Sequence, residues 1–269
     1  MAVKQLFIII LSLSFAIQGA LAQDSWHKVL DLPGRLLAVE ADEMGNIYYF
    51  DSSYQIKKTD TSGAILFTYS NKLLGENARI IPGNSFKTYI LLKDYNQLLI
   101  LDKRLQVTAI TDLNQLGFIT VSTVAPSADN QLLWIYDMMK RTVVAIDSRQ
   151  KFVHTTGSVD QYYNMPGMPE KMMEKSGKLY LFYDKKGVAI FDDQGVFETF
   201  INFQGASSLS VSGDKFVYIT PDGDMEVYSP ASFLTTTIKT PFPLLSFTTG
   251  WQYFLLQDTQ GQWSVFRVN

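Results

Sequence analysis

Carboxylates carry most of the reactive chemistry available to this chain. Of its 269 residues 26 are Asp or Glu, only two are His, and none is Cys. Without cysteine there is no thiolate nucleophile, thiolate metal site or disulfide. The sequence has no G-x-S-x-G elbow, no H-E-x-x-H helix and no P-loop. A histidine-centred triad or metal centre does not fit His27 and His154, which fall in separate outer strands of the pattern described below. Asp222-Gly-Asp224, within TPDGDME, has the look of a calcium-loop fragment. It lacks the further ligands and terminal Glu of an EF-hand, and a hairpin turn accounts for it. Asp192-Asp193-Gln194-Gly195 has the same explanation. Asp60, Asp102, Asp147 and Asp192 read together as turn formers whose carboxylates bond nearby amides.

Contact chemistry is more concentrated. The stretch Ser158–Met168, SVDQYYNMPGM, is the longest connection between repeats and places Tyr162, Tyr163, Met165 and Met168 in a loop. Amphipathic aromatics and adaptable methionines are side chains that interfaces favour. Other connections expected on the same face carry Arg35, Glu76, Asn77, Arg79, Phe118, Gln204 and Phe242. Met138 and Met139, in the YDMMKR turn, are expected on the opposite or outer side.

The elements that position these residues follow one template, Gly177–Phe200. Within it Lys178–Tyr183 is apolar at nearly every position, as in a strand covered on both faces. Gly187–Phe191 and Val196–Phe200 follow after tight Asx and Gly turns. Five further segments match it: Leu36–Ser70, Ala78–Leu113, Phe118–Gly157, Ala206–Pro241 and a last one from Pro243. The four turn aspartates recur about 42 to 45 residues apart, the period of a propeller built from four-stranded blades. The last segment lacks a fourth strand, and Ser25–Leu32 is a strand without a blade. Together they predict an all-β, six-bladed propeller of residues 23–269 whose N-terminal strand completes the final blade and removes an open edge. A sandwich would leave one polar side on most strands, and an outer-membrane barrel needs strands of about ten residues.

The unit running from third strand through Asp turn to fourth strand, as in IKKTDTSGAILF and VAIFDDQGVFETF, resembles repeats of the quinoprotein-like, NHL and TolB-like propeller superfamilies across residues 25–269. The tryptophan that ends a quinoprotein repeat is missing; Phe67, Ile110, His154 and Phe200 stand near its place, which argues against a quinone cofactor. Lactonase-like six-bladed relatives hold a metal in the central channel with Glu, Asn and Asp. That resemblance points to Glu40, Asp42, Glu76, Asn77, Glu170 and Glu174, with Glu76-Asn77 beside Gly75 as the calcium candidate.

Residues 1–22 read as a cleaved export signal: Lys4, the apolar run Leu6–Ile17, then Ala20-Leu21-Ala22. The formal net charge of −3 is scattered, so neither nucleic acid nor anionic lipid finds a basic stripe. The reading is an exported, periplasmic or extracellular binding scaffold without a cofactor. It would be monomeric alone, without membrane insertion once the signal is removed, and would take a protein or peptide partner at the loop-ringed channel entrance. The alternatives are a metal-dependent lactonase-like or sugar-directed hydrolase and a small-ligand sensor.

Overall fold

The computed structural model describes residues 26–83, 86–159, 167–250 and 253–268. Tyr162, Tyr163, Met165 and residues 1–22, where an export signal is expected, fall outside the described residues. Blades form in chain order after an opening strand, β1 (Trp26–Asp31). The first blade is β2 (Leu36–Ala41), β3 (Ile47–Asp51), β4 (Gln55–Thr59) and β5 (Ile65–Ser70). The second is β6 (Ala78–Pro82), β7 (Lys87–Leu92), β8 (Gln97–Asp102) and β9 (Val107–Asp112). The third is β10 (Val121–Pro126), β11 (Leu132–Asp137), β12 (Thr142–Asp147) and β13 (Phe152–Ser158). The fourth is β14 (Lys171–Lys175), β15 (Lys178–Tyr183), β16 (Gly187–Asp192) and β17 (Phe197–Asn202). The fifth is β18 (Ser207–Ser212), β19 (Lys215–Ile219), β20 (Met225–Ser229) and β21 (Leu234–Ile238). The sixth contains β22 (Leu244–Gly250), β23 (Tyr253–Asp258) and β24 (Trp263–Val268), and β1 supplies its fourth strand.

Each blade is a separate four-stranded antiparallel sheet. Second and third strands are buried along most of their length because both faces meet a neighbouring blade, whereas fourth strands are largely exposed. The core accordingly divides into six clusters, one at each blade junction. The junction of the third and fourth blades packs Trp134, Tyr136 and Val143 against Leu179, Leu181 and Phe191. At the ring closure Ile47 and Tyr49 of the first blade meet Leu255, Trp263 and Val265 of the sixth. Closure itself is antiparallel: Trp26 pairs with Val268 and Asp31 with Ser264, with a bulge between Lys28 and Leu30.

The turn aspartates do what their spacing implied. In each of Asp60, Asp102, Asp147 and Asp192, Oδ1 accepts the amides two and four residues on, and the backbone closes a tight turn around it. Asp222-Gly223-Asp224 is likewise a turn, with the Gly223 amide donating to the Thr220 carbonyl. Hydrogen bonds from Ser62 hold Asp60 below the usual carboxylate pKa, and those from Ser127 do the same for Asp129. A carboxylate with a lowered folded pKa adds stability above its unfolded value, near pH 4, and that stability is lost as pH falls through the folded value. The melting temperature should therefore drop as pH falls below about 4. Calorimetry across that range should show a shallower drop for Asp60→Asn.

Candidate functional site

Backbone bonds fix which loops share a face. Connections between blades are tied to second-to-third-strand turns: the Leu113, Val159, Gly205 and Leu244 amides donate to the Asn96, Arg141, Lys185 and Gly223 carbonyls in the turn of the blade being left, and the Met138 amide, in the third blade's turn, donates to the Thr120 carbonyl in the connection entering that blade. Inter-blade connections and second-to-third-strand turns thus form one loop face around the central channel. The YDMMKR turn belongs to it, which corrects the expectation for Met138 and Met139. Met138 packs on the core between the third and fourth blades, while Met139 is exposed on the loop face. The expectation put the methionines on the opposite or outer side, but a turn after the second strand returns to the end where the first strand began.

The channel mouth on this face is charged. Arg79 comes from innermost strand β6, and Lys93 from the short 3-10 turn Lys93–Tyr95 of the same blade. Two blades on, Glu170 precedes β14, and Asp184 and Lys185 form the β15–β16 turn of the fourth blade. These groups feel one another. Burial and then the Arg79 cation lower the Lys93 ammonium pKa, with Glu170 opposing. Burial and then Asp184 raise the Glu170 carboxyl pKa, against Lys93, Arg79 and Lys185. Below the mouth, Lys171 Nζ of β14 lies 3.5 Å from Glu40 Oε2 of β2. First and fourth blades are opposite in a ring of six, so this pair bridges the channel. Half-exposed as it is, it acts as a crossbar more than as a source of stability.

The expected site residues separate into groups. Arg35 and Met168 are exposed on the loop face. Phe242 is half-buried, its ring edge-on to Phe266 at 5.8 Å. Phe118 is only 1% exposed and packs with Leu113, Val121 and Leu133, so it is a core residue and not a contact at the rim. Asn96 is the reason. Its amide donates to the Phe118 and Ile119 carbonyls at 2.7 and 3.2 Å, and its Oδ1 accepts the Val121 amide, drawing that connection inward.

The carboxylates and amide proposed for a metal do not converge. Glu76 and Asn77 are exposed, and the Asn77 amide donates to Asp94 Oδ1 at 2.8 Å. Glu174 Oε2 takes the Trp134 indole N–H at 2.7 Å, a bond between blades. Asp42 is buried in its own turn. Among the described residues no group of three or more His, Asp or Glu is placed to hold a metal ion. His27 lies in β1 and His154 in β13, where its ring stacks on Trp134 at 6.1 Å.

Sequence reasoning missed Lys93, Asp184 and Lys185. The one available signal was position: each belongs to a second-to-third-strand turn, and those turns share the loop face.

No family model matches the chain, and no curated protein matches it. Solved structures do. The Cps50 (Swd1) β-propeller domain of Myceliophteria thermophila superposes with a TM-score of 0.62 at 9% identity, over 91% of this chain and all of that one (100%). A chain of the mitotic checkpoint complex gives 0.58 at 12% identity, over 87% and 77% of the two chains. BamB from Moraxella catarrhalis gives 0.51 at 13% identity, over 86% and 85%. Sequence identity this low leaves architecture as what is shared, and the chain is a six-bladed β-propeller.

Proposed function

We propose that the protein is a non-catalytic binding scaffold of the cell envelope whose loop face engages a protein or peptide partner at the channel mouth. The observation that carries this reading is the mouth itself. Cations Arg79, Lys93 and Lys185 interleave with Glu170 and Asp184, and exposed Met139, Met168 and Arg35 share their face. Mixed charge beside adaptable apolar contacts suits a polypeptide, for which electrostatic complementarity sets partner choice. The expected contact loop with Tyr162 and Tyr163 adjoins Met168 in the chain. One structural neighbour belongs to a protein assembly, the mitotic checkpoint complex, which agrees with this use of the fold. The export signal read in residues 1–22 supports the envelope location.

Reversing the mouth with Arg79→Glu and Lys93→Glu should reduce partner recovery at least tenfold in crosslinked affinity capture from native envelopes, while the melting temperature stays within a few degrees. Recovery of the same partner at the same yield would overturn the assignment. The raised carboxyl of Glu170 beside Asp184 favours one second reading, a carboxylate-dependent hydrolase acting on a sugar. Glu170→Gln separates the two, for it should abolish turnover on that reading and leave capture intact on the first.

A further inference from the structure

The rim of a propeller is a set of edge strands, and edge strands are ordinarily protected against pairing with other chains. In five blades the pair formed by third and fourth strands is interrupted by a register shift: β4–β5, β8–β9, β12–β13, β16–β17 and β24–β1. The fifth blade alone has an uninterrupted pair, Met225 opposite Ile238 through to Ser229 opposite Leu234. Its outer strand, β21, reads Leu-Thr-Thr-Thr-Ile, carries no charge and is exposed from Leu234 to Thr237.

Two further features lie at the ends of this strand. At its start Phe233 is 81% exposed and holds a left-handed φ of 57°. An exposed aromatic in that conformation has neither the burial nor the glycine that would ordinarily account for it. Past its end a groove of about 520 Å³ is lined by Ile238, Pro241, Phe242 and Pro243, with Lys239 and Asp224 at its sides. The Trp26 indole N–H donates to the Lys239 carbonyl at 2.7 Å and fixes that wall.

We infer that β21 is a homodimerisation edge, pairing antiparallel with β21 of a second copy about a two-fold axis at Thr236. That register sets Leu234 against Ile238, Thr235 against Thr237 and Thr236 against itself. Apolar thus meets apolar and hydroxyl meets hydroxyl, both favourable cross-strand pairs. The same register carries Phe233 of each copy past Ile238 to the position of Lys239 in the other, at the groove. One surface therefore presents both the projection and its receptacle, as an isologous interface requires. Because the strand is uncharged, self-pairing meets no like-charge opposition. The joined blades make one eight-stranded sheet across the dyad.

The area fits a reversible dimer. Two phenylalanines, two leucines and two strand edges bury roughly 1,000 Å² in total, the lower end of specific interfaces. This departs from the sequence expectation of a monomer and concerns the rim, so it stands or falls apart from the loop face.

Sedimentation velocity of the purified protein from about 1 to about 200 µM should show a monomer–dimer equilibrium with Kd on the order of 10 µM. Thr236→Lys puts two like charges on the axis and should weaken the dimer at least tenfold with the melting temperature unchanged. Phe233→Gly removes the projection and relieves the left-handed strain, so it should weaken the dimer while holding or raising the melting temperature. A wild-type protein that stays monomeric throughout overturns the proposal, as does a dimer indifferent to both substitutions. A photocrosslinker at Thr236 that captures only a different polypeptide, never a second copy, overturns it too and assigns the edge to a partner strand.

Discussion

Gly187→Ala should destabilise the protein by on the order of 4 kcal/mol, a cost reserved for steric conflict inside a packed core. Gly187 opens β16 opposite Tyr183 on one side and Asn202 on the other. A Cβ there would overlap the Ile201 carbonyl oxygen and press on the Phe200 ring at 2.9 Å. Neither can retreat freely, because Ile201 belongs to the β17 ladder and Phe200 packs on the core between the third and fourth blades. The control is Gly213→Ala. Gly213 has a φ of 62° but open space where its Cβ would go, so only backbone strain of about 1 kcal/mol is expected. Urea denaturation of the two variants should separate them clearly. Equal costs would mean that the fourth blade yields where the structure shows it packed.

The second large effect is expected at Asp42. Its carboxylate is fully buried and accepts the Met44 and Asn46 amides at 3.0 and 2.9 Å, the Asn46 side chain at 2.7 Å and the Tyr48 hydroxyl at 3.0 Å. Lys58 Nζ, its side chain only 5% exposed, lies 4.0 Å away and 5.1 Å from the centre of the Tyr48 ring. Burial lowers the Lys58 pKa, opposed by Asp42 and Asp102, and burial raises that of Tyr48. Asp42→Ala strands four donors and removes the nearest counter-charge of a buried cation, which should cost about 3–5 kcal/mol. Lys58→Met in the same background should restore some of that loss, because it removes the unpaired charge and keeps the aliphatic volume. A double-mutant cycle measures the coupling. Strict additivity would show that the ion pair contributes nothing beyond the turn bonds.

Lys58 also marks where sequence ceases to be informative. Lys57 and Lys58 are neighbours of one type in QIKKT, yet the Lys57 side chain keeps 24% of its surface exposed and pairs with Asp51 at 2.8 Å while Lys58 is enclosed. Alternation assigns them to opposite faces without saying that both faces are covered. The blades themselves were legible because their turns are chemically strict: an aspartate accepting amides two and four residues on is hard to replace, and its spacing counts strands. Phe118 was misread for the opposite reason. Its placement depends on Asn96, 22 residues earlier, reaching across a connection, and nothing local to either residue announces that bond. The mouth was half legible. Arg79 lies at the start of an innermost strand, beside a connection that the repeats located, but Lys93 and Asp184 sit in turns whose face depends on strand count. Only the bonds between turns and connections settle it.

The closing strand also decides how the ring answers a pulling force. Trp26 pairs with Val268, so the two ends of the described chain lie side by side at one corner of the sixth blade. Tension applied between them runs across the β1–β24 ladder. The hydrogen bonds would then break in succession from Trp26 inward instead of sharing the load. Such a joint opens at low force and closes again readily. The core junctions behind it remain intact until β1 has peeled away from Ser264. A propeller pulled between its two ends would thus behave as a closed ring with a zip fastener, whose first tooth is the Trp26–Val268 pair.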